Sequence, residues 1–316
     1  MSRVCVTGAG GYIGGRLVDT LQEAGLEVQG IVREPAPHLR VPAIVRDLSR
    51  VGGEELQSMF DGVQTVVHLA GENEVVSARQ PAVALAQTIV ATERVAEACA
   101  AAGVRRLVYT STVHAYGARM APGATLSEDL RPEPRSAYGI SRLACEHVVA
   151  GCAGGTYEPV VLRLTNSVGA PSDPAVDRWT LVTNDLCRQG ALTGRLRLVS
   201  SGAQWRDFVP LGDVCAALAG AVAAEASALP AGVYNIGSGT PTTVRALAEL
   251  IQDSFQHQTG QRPELLAPAP EPGAAAAAYH VSVERAAACG LLLGSRLEDA
   301  VAETVRFCLR HREELA

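Results

Sequence analysis

The chain has 316 residues, 47 % of them hydrophobic, with a formal net charge of -6 at pH 7, and all 27 of its basic residues are arginine. The acidic balance argues against a nucleic-acid partner or an anionic membrane surface, since both need a basic face. The missing lysine excludes a Schiff-base or PLP lysine, the phosphate-cradling lysine of a P-loop and the kinase strand lysine, and at about 150 residues per domain the length suits one large or two modest domains.

Residues 3–7 are apolar and β-rich, glycines follow, and residues 16–23 put Leu17, Val18 and Leu21 on one helical face that Gly25 ends. That is strand, turn and helix where a secretory signal would have a basic segment and an apolar run, so the expectation is a cytoplasmic protein. The turn reads Thr7-Gly8-Ala9-Gly10-Gly11-Tyr12-Ile13-Gly14. A tight turn needs one residue without Cβ and a close approach of backbone to a pyrophosphate needs another, while the helix N-terminus offers N–H groups and partial positive charge. Gly8, Gly11 and Gly14 suit these tasks, and with Tyr12 and Ile13 they predict a dinucleotide site.

The second strand, residues 28–32, runs into Arg33-Glu34. An arginine there pairs with the extra phosphate of NADP, whereas an acidic residue accepts from the ribose hydroxyl of NAD. Arg33 leans to NADP, Glu34 competes, and a solvated surface pair is the bland alternative, so the expected cofactor is NAD or NADP. After a third strand at 43–45, Asp47 and Leu48 either cap the adenine or form a turn. Strands follow at 65–69, 106–111 and 160–164, with a helix over 81–102. Continuous apolar strands separated by helices imply a doubly wound α/β fold with a parallel sheet. Beyond Leu164 prolines and glycines interrupt 169–202, helices are expected at 213–224 and after Thr242, and the biased stretch 268–278 reads as a surface loop or flap. Eight scattered cysteines without a C-x-x-C pair read as reduced, mostly buried thiols, with neither disulfide nor metal site.

The glycine loop, His68-Leu69-Ala70 closing the fourth strand, Thr110-Ser111-Thr112-Val113-His114-Ala115-Tyr116-Gly117 closing the fifth and Tyr138-Gly139-Ile140-Ser141-Arg142 together resemble the extended short-chain dehydrogenase/reductases. The likeness is greatest to the NAD-dependent epimerase/dehydratase branch acting on sugar nucleotides. Leu162-Arg163-Leu164-Thr165-Asn166-Ser167-Val168-Gly169, Arg206-Asp207-Phe208-Val209 with Asp213-Val214, and Tyr234-Asn235-Ile236-Gly237-Ser238-Gly239 follow in matching order, so it spans nearly the whole chain.

The resemblance implies a Rossmann domain at 1–165 and a smaller, less regular substrate lobe at 166–316, with roughly 203–236 returning to the first. It implies Tyr138 as base, Thr112 on the substrate oxygen, and Leu69, Ala70, Leu164, Tyr138 and Arg142 at the cofactor. Asn166 and Arg206 would hold a nucleotide diphosphate, and helices 81–102 and 138–150 would pair with their copies in a homodimer. The chemistry is coherent: removing a hydroxyl proton as hydride leaves needs a base, and tyrosine serves only if a nearby cation lowers a pKa that is about 10 unperturbed.

Four departures stand out. Arg142 occupies the place of the family lysine, keeping the charge and the ability to donate to ribose hydroxyls, but bulkier and unable to pass a proton on. Val113 and His114 replace the aspartate and glutamate of the dehydratases, so a 4,6-dehydratase is not expected; His114 either exchanges a proton with substrate or walls the pocket. Glu271-Pro272-Gly273-Ala274 stands for Arg-Pro-Gly-Asp, and Cys289-Gly290-Leu291 for Leu-Gly-Trp. The expected function is an NAD(P)-dependent oxidoreductase or epimerase interconverting a secondary alcohol and a ketone on a sugar nucleotide or similar polyhydroxylated substrate. An NADPH-dependent ketoreductase on a non-nucleotide substrate and a catalytically silent NAD(P)-binding sensor or scaffold stand beside it.

Overall fold

The computed structural model describes residues 3–269, 277–291 and 294–316. Its first half runs β1 (Arg3–Thr7), α1 (Tyr12–Glu23), β2 (Glu27–Val32), β3 (Ala43–Val45), α2 (Gly53–Met59), β4 (Thr65–His68), α3 (Glu74–Arg79), α4 (Pro81–Ala102) and β5 (Arg106–Thr112). After a 3-10 turn at Val113–Ala115 come β6 (Thr125–Leu126), α5 (Ala137–Ala153), β7 (Glu158–Leu164), β8 (Asn166–Val168), α6 (Val182–Thr193) and β9 (Arg195–Arg197). The remainder is β10 (Trp205–Pro210), α7 (Leu211–Ala223), β11 (Gly232–Ile236), β12 (Pro241–Thr243), α8 (Val244–Thr259), β13 (Glu264–Leu266), β14 (His280–Val281), α9 (Glu284–Ala288) and α10 (Leu297–Arg310).

Seven strands form one parallel sheet in the order β11-β7-β5-β4-β1-β2-β3. Such strands are buried on both faces: β1 sends Val4 and Val6 into one core and Cys5 into the other. The first core lies under α1 and α7, which pack together, and the second under α2, α4 and α5. From β1 the chain builds outward to β2 and β3, then crosses back to β4 on the other side. The order therefore reverses between β1 and β4, and a crevice opens at their carboxyl ends.

A separate core gathers α6, α8 and α10 around Leu186, Phe208, Leu247, Ile251 and Val301. The 203–236 segment divides between the two regions. β10 joins β8 and β12 in a small sheet, whereas α7 returns to the face of the large sheet and β11 extends its edge beside β7. The first helix begins at Tyr12, inside the glycine run, four residues before the periodic face that announces it.

Two buried polar residues hold the sheet. Arg106, fully buried, donates to the carbonyls of Ala221 and Ala224 at 2.7 and 2.6 Å at the end of α7, and pairs with Glu158; a cation suits a helix C-terminus. His68 lies 2.6 Å from Thr7 Oγ1 and 3.1 Å from Thr92 Oγ1. Since Thr92 gives its own proton to the Thr88 carbonyl, its oxygen accepts from Nε2–H, and Nδ1 accepts from Thr7: the ring is neutral.

Burial, helped by the charge of Arg142, pushes the His68 pKa down to about 3. The unfolded chain therefore binds a proton near pH 6.5 that the folded chain refuses, so stability is complete above that value and falls as pH drops toward 3. Thermal melts between pH 7 and 5, above the carboxylate range, should lose stability, with His68 contributing up to about 2 kcal/mol; in His68→Asn the slope should be visibly shallower.

Candidate functional site

At the crevice lies a cleft of about 690 Å³. Gly8 sits at φ +72°, and a Cβ there would lie 2.9 Å from Ala70 N; at Gly14 it would lie 2.2 Å from Gly8 O. Absence of side chains thus draws the β1–α1 turn, the β4 end and the start of α1 together. Gly11 caps α1 without a side-chain hydrogen bond, and the first turn carries no acidic residue. The leading N–H groups face the cleft as an anion site. Tyr12 turns its phenol away and donates to Gly169 O at 2.8 Å, so its backbone is what it offers. His38 Nε2 and Thr110 Oγ1, on lining residues, are buried without a partner. Bare backbone, a helix N-terminus and unmet polar atoms along one trough fit a dinucleotide, and Ile13, Asp47, Leu48, Leu69 and Leu164 line the same trough. Asp47 also forms a turn, its Oδ1 accepting from Ser49 N and Oγ at 3.0 and 2.7 Å.

Arg33 reaches the cleft mouth, where its Nη1 pairs with Glu72 Oε1 at 2.6 Å. Glu72 belongs to Gly71-Glu72-Asn73-Glu74, the segment leaving β4, and arginines from three other parts of the chain grip it. Arg142 Nη2 donates to Glu72 O at 3.1 Å, and Arg178 makes a bidentate pair with Glu74 at 3.1 and 3.0 Å.

Thr112, His114, Tyr138 and Arg142 converge farther along the cleft. Ser136 caps α5 by accepting from Gly139 N at 3.1 Å, which sets Tyr138 in the first turn. Gly139 lets the helix touch the 3-10 turn, because a Cβ there would lie 2.6 Å from His114 O. One turn later Arg142, only 6 % exposed, stands 5.2 Å from the Tyr138 ring centroid. Its guanidinium fits because Gly71, at φ +154°, has no Cβ: one would lie 2.9 Å from Nη1. Thr112, which lines the cleft, caps the 3-10 turn through Oγ1 by accepting from His114 N at 3.2 Å, a contact that does not use its O–H. The His114 ring meets Tyr138 edge-on at 6.1 Å. Burial, reinforced by Arg206 and opposed by Glu74, lowers its pKa, so this imidazole is neutral at pH 7.

Beneath them Glu146 accepts from Ser111 Oγ at 2.5 Å and from Arg163 at 3.0 and 2.6 Å, tying α5 to β5 and β7. Asn166 lines the cleft while its Nδ2 donates to Asp207 O at 2.8 Å. Arg206 is not among the described residues that line the cleft; Nη1 donates to Trp205 O. The Glu271-Pro272-Gly273-Ala274 stretch lies outside the described residues. Leu291, in place of an aromatic, is a core residue against α7. Among the described residues no helix is long and apolar enough to cross a membrane. Gly71, Glu72, Glu74, Arg178 and Glu146 were not singled out from the sequence. Glu146 had a signal, since it follows Tyr138 and Arg142 at helical spacing on one face.

A model of the NAD dependent epimerase/dehydratase family matches residues 4–237. The dTDP-6-deoxy-L-talose 4-dehydrogenase (NAD(P)(+)) of Kitasatospora kifunensis is 38% identical over 260 residues, covering 79% of this chain and 78% of its own. The dTDP-L-rhamnose 4-epimerase of Burkholderia thailandensis is 27% identical, covering 79% and 80%. Among solved structures, MoeE5 in complex with UDP-glucose and NAD is 28% identical with a TM-score of 0.81 over the whole of both chains. The UDP-glucose 4-epimerase of Thermotoga maritima with UDP-glucose is 25% identical, TM-score 0.81, covering 99% and 100%.

Gly8→Ala combines a left-handed backbone, costing about 1–3 kcal/mol for a residue with Cβ, with the contact on Ala70 N. It should lower Tm and weaken NAD binding at least about tenfold in fluorescence titration; wild-type affinity would show that the turn does not cradle the dinucleotide.

Proposed function

This chain belongs to the NAD dependent epimerase/dehydratase family, and we propose that it is an NAD(P)-dependent oxidoreductase converting a ketone and a secondary alcohol into one another on a nucleotide-linked hexose. The observation that carries this reading is the meeting of Tyr138, Thr112 and Arg142 in the cleft that begins at the Gly8–Gly14 cradle. By analogy with the 4-dehydrogenase relative, a dTDP-6-deoxyhexose reacting at C4 is the first substrate to test. We take residues 1–165 with α7 and β11 as the cofactor-holding part and the rest of 166–316 as the substrate lobe.

The dinucleotide, when bound, supplies or accepts the hydride. Thr112 O–H donates to the substrate oxygen and fixes its direction. In reduction Tyr138 gives that oxygen its phenolic proton; in oxidation it takes the proton back. Arg142 keeps a positive charge on the ring face throughout and steadies the negative charge that the phenol acquires on losing its proton. Neutral His114 can accept a hydrogen bond from a sugar hydroxyl beside the phenol.

An epimerase, which retains its cofactor and returns the hydride to the opposite face, is the second reading, favoured by the likeness to UDP-glucose 4-epimerases. Purified protein that carries bound nicotinamide and turns over without net change in absorbance would select it. We further infer a homodimer through α4 and α5, which pack together and expose Val83 and Ile140 at 46% and 44%. The eight unbridged cysteines suit the cytoplasm.

Tyr138→Phe should lower kcat on a dTDP-4-keto-6-deoxyhexose at least about 100-fold while the folded protein still binds dinucleotide; a rate within threefold of wild type would remove Tyr138 from the chemistry. Arg142→Lys should cost about tenfold in kcat, because an ammonium cannot reproduce the fork held between the Glu72 carbonyl and the phenol. A gain would mean that the pocket prefers the family lysine. Val83→Asp should shift sedimentation from dimer to monomer.

A further inference from the structure

Arg33, the cation best placed for the 2′-phosphate of NADP, is already paired. Its partner Glu72 comes from the far side of the crevice, on the segment leaving β4, and lies 2.6 Å away. The two differ in exposure: the Arg33 side chain is 61% exposed, that of Glu72 only 12%. Glu72 is also fixed through its backbone, where N–H donates to Thr88 Oγ1 at 3.1 Å and the carbonyl accepts from Arg142. A largely buried, backbone-anchored carboxylate therefore holds an exposed guanidinium at the mouth of the trough.

We propose that Glu72 is a specificity-determining residue for the dinucleotide: its carboxylate occupies Arg33 as an internal stand-in for the 2′-phosphate, so that NADP must displace it and NAD need not. A phosphate monoester carries more than one negative charge near neutral pH, and it is a better fork partner for arginine than a single carboxylate. It can therefore win Arg33, but the exchange leaves Glu72 unpaired and close to the incoming anion. NAD, with a hydroxyl at that position, leaves the pair intact. The chain thus accepts both dinucleotides with a preference tuned by one carboxylate that a reading of the β2 end alone does not reveal.

This inference rests on the dinucleotide reading above, and one experiment separates the two. NADH and NADPH are titrated by nicotinamide fluorescence into wild type, Glu72→Gln, Arg33→Ala and the double variant. Glu72→Gln should raise the affinity for NADPH relative to NADH about tenfold. In the Arg33→Ala background the same change should shift the ratio less than threefold. An unchanged ratio in Glu72→Gln overturns the proposal, and so does an equal shift with and without Arg33, since that would be direct repulsion acting without the arginine. Binding of neither dinucleotide to wild type would overturn the cofactor reading itself.

Discussion

The carboxylate of Glu146 meets Ser111 on β5 and Arg163 on β7 in the dry interior, and α5 cannot shift without breaking these contacts. The same helix carries Tyr138, Arg142 and Glu146 at successive turns, so a bond made at one end sets the position of the other. A buried ion pair adds little net stability over a well-packed apolar core, yet removing one member leaves a stranded charge that costs about 3–5 kcal/mol. Its value is directional. Arg163 also stacks over Tyr116 at 4.8 Å, whose hydroxyl donates to Asn235 on the edge strand β11. The Tyr138 phenol is thereby aligned with the sheet that bears the Gly8–Gly14 turn.

Arg142 is accommodated by its surroundings. The guanidinium needs room that Gly71 provides, an acceptor that the Glu72 carbonyl provides and a face to lie against that Tyr138 provides. An ammonium would meet one of these at a time. The surroundings thus meet the guanidinium at its Nη atoms and its face, while its Nε is buried without a partner.

Much of the architecture was legible because it rests on short-range pattern. Unbroken apolar runs declared six of the seven parallel strands, β11 being the one not read, the helix of 81–102 has the bounds that its composition suggested, and the Tyr138 motif fell at a helix start. What escaped depends on distant pairing. Glu72 and Glu74 look like solvated acids in sequence, and only the approach of β2, α5 and the loop after β8 makes them partners of three arginines. The β8–β10–β12 sheet was hidden for the same reason, its strands being three to six residues long and joined across long intervals. Arg206 has the motif, and its Nη1 donates to the neighbouring Trp205 carbonyl while its charge is felt at His114.

The core under α1 is closed by α7, a helix from the later half of the chain, whose last carbonyls are held by Arg106 at the start of β5. A nascent chain that has emerged only as far as residue 165 has made six of the seven sheet strands and the α1 that covers β1 and β2, but still lacks α7 over the part of the same face that holds Val108. Only when α7 and β11 follow, about seventy residues later, is that face closed. The boundary that looks natural in sequence is thus one at which the first core is only partly closed, its second covering helix still to come.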